Sequence, residues 1–492
     1  MILIKIDRKS RTPIYRQIIH KIIQLIEEGV LKNGTRLPST RQLAQKLGIN
    51  RSTICHAYLE LLALGYVESS PGSYTTIRKR PEVVTKNHKS DKGLISWPQV
   101  SNPACNNLYR IFQNYSPEYR VNDSSGIINL SQLDLDSRIF PVEDFRRCLN
   151  QVLINEDSKI LQYGECAGYA LLREHIAQRL QIHGIAASAK EILITNGTQQ
   201  ALELILKLLT VPGKKVVIEA PTYANILVLL QFYQIDMVEI PMRENGMDLQ
   251  YLKTQLEKFN PAFIYTIPNF HNPTGITTNQ AHREALLSIC EKFRVPIVED
   301  GFEEEMKYFG KVVLPIKSMD KNQIVIYLGT FSKVLFPGIR LGWIAADEQC
   351  IERLTAIKRF CDISSNLVLQ AAVAAFCRLG YYDLHIKRMH RIFRKRMQVA
   401  LNTLKLNMPE GVTWTQPDGG YTIWVTLKTP YPDESLFQEM LLKHGVLVSP
   451  GDYYFHRSHP HKYFRLSIAN LNEQEIEKGI IRLGEALKAL NF

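Results

Sequence analysis

Apolar residues recur at helical spacing three times within the first 65 positions. Ile18, Ile22, Leu25 and Ile26 share one face of Tyr15 to Glu28, with Pro13 ahead and Gly29 behind, which predicts an amphipathic helix. A short second helix is predicted after Pro38-Ser39-Thr40, which offers a hydroxyl cap; its inward face is Leu43, Ala44 and Leu47, and Gly48 stops it. Arg51 to Leu64 then turns Ile54, Ala57 or Tyr58, and Leu61 inward and ends at Gly65. Two short helices joined by only Gly48, Ile49 and Asn50 have the spacing of a helix-turn-helix. Alternation in Tyr66-Val67-Glu68 and again in Tyr74 to Ile77, around a turn at Ser70-Pro71-Gly72, predicts a small hairpin beside them.

From Arg78 to about Gly126 the periodicity is lost and Lys, Asn, Ser and Pro gather, which reads as a linker. An apolar patch at Leu108 to Tyr115 is suited to docking on a neighbouring domain. Past Gly126, β-branched runs alternate with helical ones: Glu191 to Thr195 and a helix to Leu209, Val216 to Glu219 and a helix to Phe232, then Ala262 to Thr266, Val295 to Asp300 and Ile324 to Tyr327. This alternation predicts an α/β domain with a mainly parallel sheet between helices, and ligand groups at the strand ends. The reading divides the chain into 1–80, a linker 81–125, and 126–492.

Composition adds little until charge is located. With 492 residues the chain is too long for one small core. No apolar stretch approaches a bilayer span, so no membrane partner is expected, and a start of Met-Ile-Leu-Ile-Lys without a secretory signal predicts a cytoplasmic protein. The eight cysteines show no metal-ligand spacing and are expected to be buried thiols, with no metal and no disulfide framework. Of the net charge of +12, residues 1–80 carry 14 Lys and Arg against five Asp and Glu, while residues 126–492 carry 41 against 39. The basic excess therefore sits on the helix-turn-helix, and Arg51, Ser52, Thr53 and His56 lie where a recognition helix meets base edges. Double-stranded DNA is the expected partner.

The runs Gly34-Thr-Arg-Leu-Pro-Ser-Thr-Arg, Leu47-Gly-Ile-Asn-Arg-Ser-Thr-Ile, Ala57-Tyr and Leu64-Gly-Tyr-Val-Glu resemble the GntR-type winged helix over its whole length. The resemblance implies that Arg36, Arg41 and Arg51 hold phosphates or read guanine. Ser52 and Thr53 would touch backbone or bases, Ser39 and Thr40 would belong to the same interface, and Gly72 would form the wing tip.

In the large region, Asn196-Gly-Thr-Gln-Gln opens a helix after a strand and offers backbone N–H groups to a phosphate. Pro268-Asn-Phe-His-Asn-Pro-Thr-Gly, Val298-Glu-Asp300, Gly329-Thr-Phe-Ser-Lys333 and Pro337-Gly-Ile-Arg340 follow in that order. The set resembles the fold-type-I, class I/II aminotransferases, whose cofactor is pyridoxal 5'-phosphate. By resemblance Lys333 would form the internal aldimine and serve as the proton-transfer base, Asp300 would hold the pyridine nitrogen, Asn272 would bond the phenolic oxygen, and Tyr223 would stack on the ring. Gly197, Thr198, Gln199, Thr330, Ser332 and Arg340 would cradle the phosphate. Tyr163 would reach the phosphate of a second subunit, which implies a homodimer. His385 to Leu404 is a strongly basic amphipathic helix; Asp418-Gly-Gly-Tyr and Val446 to Asp452 match the family's small domain, and Arg465 would grip a carboxylate. Gly301-Phe302-Glu303 departs from the pattern, because relatives often have a tyrosine two or three residues after the aspartate.

The whole layout resembles the MocR-type regulators. That resemblance implies a promoter-binding regulator in which an amino effector, or the cofactor itself, acts through aldimine chemistry. The alternative is an aminotransferase with an auxiliary DNA-binding domain.

Overall fold

The computed structural model describes residues 4–69, 74–78, 95–115, 126–431, 433–457, 459–460, 462–490 and 492. It forms two compact units, Met1–Ser96 and Trp97–Phe492.

In the first unit the three predicted helices are α1 (Ile14–Glu27), α2 (Thr40–Leu47) and α3 (Arg51–Ala63), with strands β1 (Val67–Glu68) and β2 (Thr76–Ile77) paired antiparallel. Their shared core is Ile18, Ile22, Leu43, Ile54, Ala57 and Leu61, closed by Val67 and Ile77 of the hairpin. Local chemistry fixes each helix end. Ser39 and Gln42 form a reciprocal capping box at the start of α2, Gly48 stops it in the left-handed region at φ 60°, and the Asn50 side chain accepts from Ser52 N to start α3. The Tyr58 hydroxyl donates to the Pro38 carbonyl at 2.8 Å and ties α3 to the entry of α2. Ser39→Ala removes the side-chain half of the capping box and should cost about 1 kcal/mol. Hydrogen exchange in the intact chain is the check: amides of Thr40–Leu47 should open roughly fivefold more often, with the second unit unchanged.

The second unit starts with α4 (Trp97–Val100) and α5 (Pro103–Tyr115), so part of the segment read as a linker is helical. Along α5, Ala104, Asn107, Leu108 and Ile111 are half-buried at helical spacing, and the helix packs against α9. Strand β3 (Ile128–Asn129) leads to α6 (Val142–Glu156) and α7 (Ala170–Ile182); then come β4 (Ile192–Thr195), α8 (Thr198–Leu209), β5 (Lys215–Ala220), and α9 (Ala224–Phe232) itself. Six further strands complete the main sheet: β6 (Asp236–Arg243), β7 (Gly246–Met247), β8 (Ile264–Thr266), β9 (Ile297–Asp300), β10 (Val325–Thr330) and β11 (Gly342–Ala345).

The sheet order is β4-β11-β10-β9-β8-β5-β6-β7, parallel from β10 through β6. β11 runs antiparallel to both β4 and β10 and was not foreseen: its four residues follow Arg340 with no turn pattern to mark them. Side-chain alternation splits the core. Ile192 and Ile194 point to one face, with α7, while Leu193 joins Val216, Ile218 and the residues of α8 and α9 on the other. A smaller sheet, β12 (Thr413–Trp414), β13 (Thr422–Thr426), β16 (Tyr463–Ser467) and β15 (Ser449–Pro450), lies C-terminal to it in sequence, and β14 (Val446–Leu447) pairs with β3. The basic helix spans Tyr381–Asn407, with Met389, Phe393 and Met397 buried and Lys387, Arg388, Arg391, Arg394 and Lys395 exposed.

The cysteine expectation needs correction. All eight are free thiols, but only Cys148, Cys290 and Cys377 are buried, whereas Cys105 and Cys361 are exposed. Both lie on outer faces of helices, Pro103–Tyr115 and Glu348–Asp362, which scattered spacing alone does not reveal. Among the described residues no single helix is long and apolar enough to cross a membrane.

Candidate functional site

A cavity of about 410 Å³ opens where β4, β8, β9 and β10 end, the position at which an open α/β sheet gathers ligand groups. The sheet's loops contribute Thr198, Gln199, Asn272, Asp300, Thr330, Ser332, Lys333 and Arg340; Tyr223 starts α9, and Ser449 and Arg465 come from the small sheet. Sequence positions from Ser131 to Arg465 thus line one space.

One end of the cavity is an anion cradle. Asn196 and Gly197 bend the chain from β4 into α8, and Gly197 has φ +89°, where a Cβ would stand 2.9 Å from an Arg340 guanidinium nitrogen. Arg340 Nη2 donates to the Asn196 carbonyl at 3.0 Å, which holds its planar fork beside the N-terminus of α8. Thr330 Oγ1 accepts from Ser332 N at 3.1 Å and donates to the Leu341 carbonyl, while Ser332 Oγ and Gln199 Oε1 are buried with no partner among the described residues.

At the centre, Asp300 ends β9 in full burial. Its Oδ2 accepts from the Tyr265 hydroxyl at 2.7 Å, and its Oδ1 has no partner among the described residues. Burial pushes the Asp300 carboxyl up to about 7. Lys333 Nζ donates to the Leu133 carbonyl at 2.9 Å and stands 3.9 Å from Asp134 Oδ1. Burial holds this amine below the usual lysine range, although Asp134 and Glu303 oppose the shift. Arg465, 7% exposed, donates through Nη1 to Asn272 Oδ1 at 3.0 Å and through Nη2 to the Ser131 carbonyl at 2.6 Å. Asn272 and Arg465 are therefore linked directly, a contact no motif disclosed.

Tyr163 does not enter the cavity. It is 83% exposed on the surface of this chain. Phe302 lines the cavity wall and supplies no hydroxyl. Next to it Glu303 is buried, with Oε2 accepting from Tyr421 N at 3.2 Å and Oε1 unpartnered among the described residues. Burial pushes the Glu303 carboxyl up to about 8 against the nearby charges of Lys333 and Arg465. Sequence reasoning missed Tyr265, Glu303 and the strap Ser131 to Asp134. Glu303 had a signal, being three residues beyond Asp300; the strap had none, because Ser131 and Leu133 act through their carbonyls.

The Asp300 shift has a testable sign. Its folded value lies above the value of about 4 for an unfolded aspartate, so the stability it contributes is full below pH 4 and is lost as pH rises through about 7. In the cofactor-free chain, the gap in thermal midpoint between Asp300→Asn and wild type should move in the variant's favour from pH 5 to 8. A gap that stays constant would remove the desolvated carboxylate from the account.

On the first unit Arg36, Ser39, Arg41, Arg51 and Ser52 are exposed, and Thr40 and Thr53 are half-buried. Arg51 Nε donates to Thr40 Oγ1 at 3.3 Å, and the Arg36 guanidinium lies 4.6 Å from the centroid of the Tyr74 ring. Gly72, the expected wing tip, lies outside the described residues. His56 is exposed but packs edge-on against Tyr15 at 4.4 Å and faces Glu60 at 3.5 Å.

Residues 125–483 match the family described as aminotransferase class I and II, and residues 14–77 match the bacterial regulatory proteins of the gntR family. The chain is 32% identical, over 98% of both sequences, to the uncharacterized HTH-type transcriptional regulator YdfD of Bacillus subtilis. It is 28% identical to the probable rhizopine catabolism regulatory protein MocR of Rhizobium meliloti, over 99% of this chain and 96% of that one. Among solved structures it resembles LysN, the alpha-aminoadipate aminotransferase of Thermus thermophilus, complexed with N-(5'-phosphopyridoxyl)-L-leucine. There the TM-score is 0.74 and the identity 28%, over 81% of this chain and 99% of that one.

Proposed function

The chain belongs to the aminotransferase class I and II family and carries a gntR-family domain ahead of it, and from that premise we propose that it is a MocR-type transcription regulator holding pyridoxal 5'-phosphate and answering to an amino compound. One observation carries the reading. A winged helix with its cations exposed is followed on the same chain by a cavity that gathers Lys333, Asp300, Asn272, Tyr223, Ser332 and Arg340.

The residues fit pyridoxal phosphate. Asp300 Oδ1 and Ser332 Oγ are buried polar atoms lacking partners among the described residues; a pyridine N–H donating to the first and a phosphate oxygen accepting from the second would supply what they lack. When bound, the cofactor contributes an aldehyde and an electron-withdrawing ring. Asp300 would hold the ring nitrogen in its protonated state, and Tyr265 would fix the carboxylate from behind. Arg340, Thr198, Gln199, Thr330 and Ser332 would seat the phosphate, and Tyr223 would cover the ring face. Lys333 offers the single primary amine of the lining, and its desolvation raises the neutral fraction that reacts. Arg465 would bind an effector carboxylate after parting from Asn272 and the strap carbonyl of Ser131.

The test is a spectral titration of the holo protein with amines and amino acids, repeated with promoter DNA. An absorption change coupled to altered DNA affinity supports the sensor. An unchanged spectrum with every amine, alongside different DNA affinity for apo and holo forms, makes the cofactor itself the signal. The meeting of Lys333, Asp300 and Arg465 in one cavity favours a second reading as a transaminase. Amino transfer at about 1 s⁻¹ or faster would establish it, and negligible turnover beside salt-sensitive promoter binding would exclude it.

The exposure of Tyr163 supports a homodimer in which this side chain meets a second copy. A DNA-binding role supports a cytoplasmic location. Sedimentation of the holo protein at twice the mass of 56.5 kDa is the expected result for the dimer.

A further inference from the structure

Among the described residues the cavity lining holds two carboxylates, Asp134 and Asp300, and three cationic side chains, Lys333, Arg340 and Arg465. The reading above uses four of them, for ring nitrogen, aldehyde, phosphate and carboxylate. Asp134 is left over. It projects from the strap at the mouth with its side chain 51% exposed, and its ion-pair partner among the described residues is Lys333.

Asp134 is poorly placed to serve the amine that reacts. On the reading above that nitrogen would take over the role of Lys333 Nζ, whose hydrogen-bond acceptor in the structure is the Leu133 carbonyl at 2.9 Å, while Asp134 Oδ1 is 3.9 Å away, beyond hydrogen-bond length. A carboxylate at that offset has room for another donor between itself and solvent. A second nitrogen four or five bonds from the first spans at most about 5 to 6 Å, which reaches a carboxylate oxygen some 4 Å from the first nitrogen. A side chain ending in a methyl group offers Asp134 no cation beyond Lys333, and one ending in a carboxylate meets like charge.

We propose that Asp134 selects the effector's side chain, so that the preferred compounds are α-amino acids bearing a second, cationic amine three or so carbons along, with neutral ones weaker and dicarboxylic ones weakest. The proposal rests on the amine-responsive cofactor site above. It makes the strap between β3 and α6 the selecting element: the Ser131 and Leu133 carbonyls hold Arg465 and Lys333 until a ligand arrives, and Asp134 would meet the ligand's far end.

The test uses the full-length holo protein and three probes: L-ornithine, its near-isostere L-norleucine, and L-glutamate. Half-response concentrations are read from cofactor absorption and, separately, from promoter affinity. In wild type L-ornithine should respond at roughly a fivefold lower concentration than L-norleucine, as expected of a partly exposed ion pair, and L-glutamate should be last. In Asp134→Asn the ratio of the first two should collapse to about one, and in Asp134→Glu it should survive. Equal potency of L-ornithine and L-norleucine in wild type overturns the proposal. So does a D134N variant in which both weaken by the same factor, since Asp134 would then serve the α-amine. If none of the three alters the spectrum while borohydride still fixes the cofactor on Lys333, the amine-sensing reading fails and takes this proposal with it. If borohydride fixes nothing, the cofactor assignment itself is at fault.

Discussion

Lys333→Ala is expected to lose all borohydride-fixable pyridoxal phosphate, and with it most of the stability the cofactor confers. The reason is chemical. The other cations of the cavity lining are Arg340 and Arg465, whose guanidinium groups stay protonated and do not attack an aldehyde. Ligand stabilisation follows the logarithm of occupancy, about 2.7 kcal/mol at a hundred times Kd, so a hundredfold loss of affinity leaves only about 0.4 kcal/mol. The phosphate cradle and Asp300 remain in the variant, so some reversible binding should persist. Cofactor-free Lys333→Ala should unfold within about 1 kcal/mol of wild type, because the amine is desolvated and near Arg465 and Arg340 as well as Asp134 and Glu303. Lys333→Arg separates charge from chemistry: it keeps a cation and should fail in the same way. Mass spectrometry after reduction, with thermal midpoints in the presence and absence of cofactor, gives both readouts. A reduced adduct on another residue, or an undiminished thermal shift in the alanine variant, would refute the assignment of Lys333.

What could be read from the sequence, and what could not, has a physical pattern. The winged-helix elements were legible because each end carries its own signal, such as Ser39, Gly48 and Asn50, and each inward face repeats at the helical period. The central strands were legible as continuous apolar runs ending at Asp300 and Lys333. Helix α5 was not, since its half-buried stripe of Ala104, Asn107, Leu108 and Ile111 is weakly apolar and sits in a stretch rich in Asn. β11 was missed because four residues, Gly342 to Ala345, carry no alternation of polar and apolar positions. Within the site, Lys333, Asp300 and Arg340 were visible through motif order, whereas the strap enters through backbone carbonyls that any side chain would offer. Tyr265 was hidden for another reason: it lies inside an apolar strand, and only the sheet register brings its hydroxyl to Asp300 one strand away.

Arg51→Ala should weaken promoter binding by about 1 to 3 kcal/mol, from roughly fivefold to more than a hundredfold, and relax the preference at one base position. Arg51 is the first residue of α3, exposed, and steadied through Nε by Thr40 Oγ1, so the bond to Thr40 leaves its two terminal nitrogens for a ligand. A planar fork held in that way suits bidentate contact with guanine. Arg36 is held differently, over the face of Tyr74 beside the hairpin, which suits a phosphate. Arg36→Ala should therefore weaken binding evenly across operator sequences and reduce the slope of log affinity against log salt by about one. Thr40→Val leaves the Arg51 guanidinium in place but removes its brace, and should cost less than Arg51→Ala while affecting the same base. Competition binding with single-base operator variants at two salt concentrations distinguishes the residues. Equal loss on every sequence for Arg51→Ala would move that residue from base reading to phosphate holding, and an unchanged salt slope for Arg36→Ala would take Arg36 out of the interface.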